Sequence, residues 1–167
     1  MKVSRKALRL TDDELEGFLR SQRFGRLGTA NRAGQPHVTP LGYVYCRGAV
    51  YFTAMRGGRR GRDLEENPQV AFLVDDGTGP DEPYSRRRGA ILYGRCVIAD
   101  DDPVLRDEAI HEYARALGAG SIEEIQRRTH SWYRIDVERT ASWDFGKIPR
   151  GADRVRDAEP AGEPATE

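Results

Sequence analysis

The chain has 167 residues with 27 basic and 27 acidic side chains, so its formal net charge is zero and nothing global points to nucleic acid or an anionic membrane. That length fits one domain, and a mean hydropathy of −0.71 still permits a packed core because the apolar residues cluster in short runs. No run is long enough to span a bilayer and the N-terminal MKVSRKALRLTDDELE lacks an apolar signal segment, so no membrane association and a cytoplasmic location are expected.

Thr11-Asp12-Asp13-Glu14 reads as a capping box that opens a helix from Asp12 to Ser21, with Leu15, Phe18 and Leu19 on one face. Phe24 to Ala30 reads as a first strand and Asn31 to Gly34 as a turn. Gln35 to Cys46 reads as a longer second strand. Pro36 and Pro40 cannot donate ladder hydrogen bonds, so part of it is expected at an edge or in a bulge. After the turn Arg47-Gly48, Ala49 to Ala54 forms a third strand. Gly57-Gly58 breaks it, and Arg59 to Glu66 reads as a short helix ended by Asn67-Pro68. A helix start carries free N–H groups and the positive end of the dipole, and Arg59, Arg60 and Arg62 add charge there. The place suits a phosphate; a solvated basic turn is the alternative.

Val70 to Val74 reads as a fourth strand, Asp75 to Ser85 as a polar loop, and Gly89 to Ala99 as a fifth strand after Arg86-Arg87-Arg88. Asp102 and Pro103 open a helix with Leu105, Ala109, Tyr113 and Leu117 as its apolar stripe, stopped by Gly118 and Gly120. Ser121 to Glu124 is a second capping box, opening a short helix to about Arg128. Ser131 to Val137 reads as a sixth strand, continued past a kink by Thr140 to Phe145. From Pro149 onward apolar periodicity stops, so residues 1–148 are expected to form the domain and 149–167 a disordered tail.

Strands joined by tight turns, with helices at the ends and in one crossover, predict a mainly β, antiparallel barrel or sheet. Neither a G-x-G-x-x-G nor a P-loop motif occurs. Cys46 and Cys96 sit in predicted strands and are expected as buried free thiols. His37, His111 and His130 have no ligand spacing, so no metal is expected. The sequence shows no triad, paired-carboxylate motif or metal-ligand cluster.

The stretch Tyr51-Phe52-Thr53-Ala54, then Gly58-Arg59-Arg60-Gly61-Arg62-Asp63-Leu64, then Asn67-Pro68 resembles the phosphate-binding block of the pyridoxamine 5′-phosphate oxidase-like superfamily. The resemblance spans about Leu10 to Gly146. It implies a split β-barrel of six or so antiparallel strands with peripheral helices, a homodimer, and a flavin or deazaflavin cofactor. It further implies that Thr53, Arg59 and Arg60 hold the cofactor phosphate, with Phe52, Ala54 and Gly58 in the same wall. The segment His37, Val38, Thr39, Pro40, Leu41 and Gly42 matches the one that runs along the ring and ribityl chain.

Three departures stand out. Arg60 replaces a lysine, Gly89 stands after Arg88 where the pyridoxamine phosphate enzymes have a glutamine, and Ser142 to Lys147 replaces their C-terminal signature. They argue against pyridoxamine phosphate oxidase activity and toward the branch that uses coenzyme F420 or FMN. The Pro36-to-Leu41 pattern tilts the expectation to F420. So does a reading of Arg86 to Arg88 as a landing site for the F420 oligoglutamate; the default for those arginines is a solvated loop balancing Asp81 and Glu82. Trp143 and Phe145 are expected either in the core or near the site. The expected activity is hydride transfer to or from an unsaturated small molecule. A non-catalytic flavin- or haem-binding protein of the same fold is the alternative, with His37, His111 and His130 as weak haem-ligand candidates.

Overall fold

The computed structural model describes residues 3–117 and 130–149. The expected stop at Gly118 and Gly120, the helix opened at Ser121 and the tail from 150 onward lie outside the described residues. Seven strands are present among the described residues: β1 (Phe24–Ala30), β2 (Pro36–Gly42), β3 (Val44–Cys46), β4 (Ala49–Met55), β5 (Gln69–Asp76), β6 (Arg88–Ile98) and β7 (His130–Asp144). With them are α1 (Asp12–Ser21), α2 (Arg59–Glu66) and α3 (Ile110–Leu117). At the start of α1, Glu14 N–H donates to Thr11 Oγ1 at 3.3 Å and Thr11 N–H donates to the Glu14 carboxylate at 2.7 Å, so the capping box forms.

All strand pairs are antiparallel, in the order β2-β1-β5-β6-β7-β4-β3. Tyr43 alone separates β2 from β3, yet these two strands stand at opposite ends of that order. The sheet must therefore curl until its edges meet, which gives the split barrel. Tyr43 is buried at the seam, where its hydroxyl donates to Leu19 O at 2.7 Å and its ring meets Phe72 edge-on at 5.0 Å. The expected second strand is thus two strands, and β2 is an edge strand that tolerates Pro36 and Pro40.

The barrel interior holds Leu27, Val50, Phe52, Phe72, Leu92 and Ile135, with Phe18 and Leu19 of α1 packed against them. A second cluster lies outside the barrel, where Leu105, Ala109 and Tyr113 cover Val44, Tyr51 and Trp132. The segment leading into α3 is a π turn over Leu105–Ala109, a widening that the sequence pattern does not announce. β7 runs unbroken to Asp144. The expected kink is a bulge, because Tyr93 pairs with Arg139 while Gly94 pairs with Val137. Phe145 leaves the strand and begins a 3₁₀ turn. Both cysteines are free and buried; burial pushes the Cys96 thiol up to about 12 and the Cys46 thiol to about 11. Among the described residues no helix is long and apolar enough to cross a membrane.

Candidate cofactor site

The C-terminal end of β4 and the start of α2 border a cleft of about 360 Å³ lined by His37, Thr53, Ala54, Met55, Gly58, Arg59, Arg60 and His130. Gly58 is the N-cap of α2 and supplies no side chain to satisfy the helix start. The first backbone bond into the helix runs from Arg62 N–H to Gly58 O at 3.1 Å. The amides of Arg59, Arg60 and Gly61 are therefore left without a backbone partner among the described residues.

Arg60 is half-buried. Its Nε–H donates to Thr39 Oγ1 at 3.0 Å, tying α2 to β2. It has no carboxylate partner among the described residues, and burial pulls its pKa below the ordinary arginine value. A cation so placed is stabilised by an incoming anion. Arg59 is more exposed and its Nε lies 4.0 Å from the Asp63 carboxylate. Arg62 turns away and donates to Gly57 O at 2.6 Å.

Among the described residues, three buried atoms in and around this cleft lack hydrogen-bond partners: His37 Nδ1, His130 Nδ1 and the Tyr133 hydroxyl. Buried polar atoms are normally satisfied, so orphans grouped beside a free cation mark a place built for a polar ligand. The donor set fits a phosphate: guanidinium groups, a threonine hydroxyl and free helix-start amides. A second cleft of about 330 Å³ lies between α1, β3 and α3. Its Arg20 is near Glu16 at 3.2 Å and Glu112 at 3.8 Å.

The other expected site residues divide by the alternation of the strands. In β2, His37 and Thr39 turn toward α2, Val38 and Pro40 are exposed on the opposite face, and Leu41 is in the core. Gly42 ends the strand at the seam. In β4, Thr53 and Ala54 reach the cleft, while Phe52 is buried in the barrel and stacks on Tyr133 at 5.5 Å. Phe52 is 0% exposed and does not border the cleft. His130 and Met55 were not expected in the site; they meet through the β4–β7 register, where Met55 pairs with His130. His111 lies exposed on α3, outside the cleft.

Arg86 to Arg88 do not border the cleft. Arg88 pairs with Asp144 at the far end of β7, whereas His130 begins it. Arg88 binds Asp76 at 3.0 Å rather than Asp81 or Glu82, and the Arg87 guanidinium sits 5.1 Å from the centre of the Tyr84 ring. Gly89 has a packing reason: a Cβ there would come within 2.4 Å of the Trp143 indole. Trp143 is partly buried across the strand pair, and Phe145 stacks on Tyr84 at 4.5 Å.

Residues 11–144 match the pyridoxamine 5′-phosphate oxidase family. The chain belongs to that family. A 5a,11a-dehydrotetracycline/5a,11a-dehydrooxytetracycline reductase of Streptomyces rimosus is 30% identical over 130 residues, covering 75% of this chain and 78% of that protein. Among solved structures, a conserved hypothetical protein of Mycobacterium tuberculosis superposes with a TM-score of 0.73 at 24% identity, covering 98% of this chain and all of that one (100%). A FAD-binding protein of Mesorhizobium loti superposes with a TM-score of 0.62 at 26% identity, covering 80% of this chain and 92% of the other.

Proposed function

We propose that this family member is a flavin-type oxidoreductase that uses coenzyme F420, with FMN as the alternative cofactor, to reduce an unsaturated small molecule. The observation that carries the reading is the cleft at the start of α2, with its half-buried Arg60 and free amides. The reductase relative supports the reaction class, and the FAD-binding neighbour supports a flavin-like ligand. When bound, the cofactor supplies the hydride. Thr53, Arg59, Arg60 and the α2 amides would hold its phosphate, while β2 flanks the cleft through His37 and Thr39. Since the arginine loop lies away from the cleft within one chain, the preference for F420 rests on the Pro36-to-Leu41 pattern.

Absorbance titration of the protein with F420 and with FMN tests this directly. Tighter binding of F420 is expected; far tighter FMN binding would reverse the choice. Arg60→Ala is expected to weaken cofactor binding by about 1.5–3 kcal/mol, the scale of a charge-assisted hydrogen bond, and calorimetry showing unchanged affinity would remove Arg60 from the clamp. We also propose a homodimer. Phe24, 63% exposed, and Val38, 65% exposed, lie on the outer face of β1 and β2 and are the residues it would cover; sedimentation of a monomer at micromolar concentration would refute it.

His37 and His130 share the cleft, which keeps haem as a second ligand to test. A Soret band on haem addition that disappears in the His37→Ala and His130→Ala proteins would favour that reading over reduction.

A further inference from the structure

Asp63 is 6% exposed, an unusual place for a carboxylate, and it stands behind His37 and Arg59, two residues of a cleft that suits an anion. Thr29 Oγ1, from β1, donates to Asp63 Oδ2 at 3.0 Å. On the other side His37 Nδ1, from β2, faces the same oxygen at 3.7 Å, just beyond hydrogen-bond distance, and among the described residues it has no hydrogen-bond partner. Arg59, the remaining cation near Asp63, is at 4.0 Å and about half exposed. A buried carboxylate left alone would repel a phosphate at this cleft, so the arrangement calls for a cation between the two.

We propose that His37, oriented by Asp63 and Thr29, is a further anion contact of this site, and that it works as a pH-dependent one. The proposal rests on the reading of the cleft as a phosphate site. In the tautomer that places Nδ1–H toward Asp63, Nε2 is the nitrogen left for the cleft. Protonated, His37 presents an Nε2–H donor and a positive charge to the ligand while Asp63 stabilises that charge from behind. Neutral, it presents a lone pair that repels an anionic oxygen. Asp63 and Thr29 are positioning residues; they act on the ligand only through the imidazole. The other groups facing this place are Arg59 and Arg60 from α2, Thr53 from β4 and His130 from β7.

The test uses cofactor-free protein and sodium sulfate, whose charge is constant between about pH 5 and pH 8, so that a change in its binding over that range reports a protein group. Imidazole ¹⁵N resonances report both the tautomer and the contact. In the wild type, His37 is expected to carry its proton on Nδ1 at the upper pH, and its Nε2 signal should move on adding sulfate. The sulfate dissociation constant should rise roughly tenfold across the range, as one charge-assisted hydrogen bond is lost. His37→Gln should bind weakly with no such rise, His130→Gln should keep it, and Asp63→Asn should lose both the tautomer preference and most of the rise. An unmoved His37 signal, or a rise that persists in His37→Gln or vanishes in His130→Gln, overturns the proposal. If sulfate moves His37 while neither F420 nor FMN binds, the anion contact stands and the cofactor reading falls.

Discussion

Asp102→Ala is expected to destabilise the protein by about 3 kcal/mol at neutral pH, the scale for removing one partner of a buried ion pair. Asp102 is 8% exposed and sits where the chain turns from β6 toward α3. One carboxylate oxygen accepts Val104 N–H at 2.8 Å. The other accepts from the Arg134 guanidinium and from the Tyr51 hydroxyl, the latter at 3.4 Å. Removing it leaves Arg134 with Asp136 alone and uncaps the segment that carries Leu105 and Ala109 onto the barrel.

The same group predicts an acid limb. Burial by itself would raise the Asp102 pKa, but the hydrogen bonds from Arg134 and Val104 N–H outweigh it and hold the carboxyl below its ordinary value. A folded-state pKa below the unfolded one adds stability above the unfolded value, about 3.9, and that stability is lost as pH falls through the folded value. Asp102→Asn, which keeps an oxygen for Val104 N–H, should therefore be less stable than wild type at neutral pH. The gap should close in acid. Urea unfolding at pH 7 and at about pH 3 measures both. A gap of equal size at the two pH values would show that the ion pair is not its source.

What the sequence disclosed of this fold follows from the range of the forces involved. α1 was legible to the residue because its capping box is written within four positions, Thr11 to Glu14. The α2 start was legible for the same reason: Gly57-Gly58 and the arginines are contiguous. The break at Tyr43 was not. Leu41-Gly42-Tyr43-Val44 contains no turn pair, since the chain stays extended there and only changes which neighbour it pairs with. Arg88 was expected to balance the nearby loop acids, yet its partner is Asp76, the residue opposite it in the β5–β6 register. His130 could be placed in the cleft only through its pairing with Met55, and Asp63 could be joined to Thr29 only across 34 positions. Local signals thus gave the start of α2, and strand register supplied the groups behind it.

Gly61→Ala is the second large effect and bears most directly on the site. A Cβ on Gly61 would lie 2.2 Å from Arg56 O and 2.6 Å from Met55 O. Both obstacles are backbone, so no rotamer change relieves them and α2 must lift from the end of β4. The expected cost is about 3 kcal/mol, the upper part of the range for overpacking. Lifting also displaces Arg59, Arg60 and the free amides relative to Thr53 and Thr39, so cofactor affinity should fall beyond what the unfolded fraction explains. Gly57→Ala is the matched control: its Cβ would meet nothing within 4 Å, and its stability should stay within about 0.5 kcal/mol of wild type. Thermal melts and F420 or FMN titrations of the two variants separate the cases. Equal melting temperatures would refute the close approach of α2 to β4. A folded Gly61→Ala protein that binds cofactor normally would show that the phosphate is not held by the start of α2.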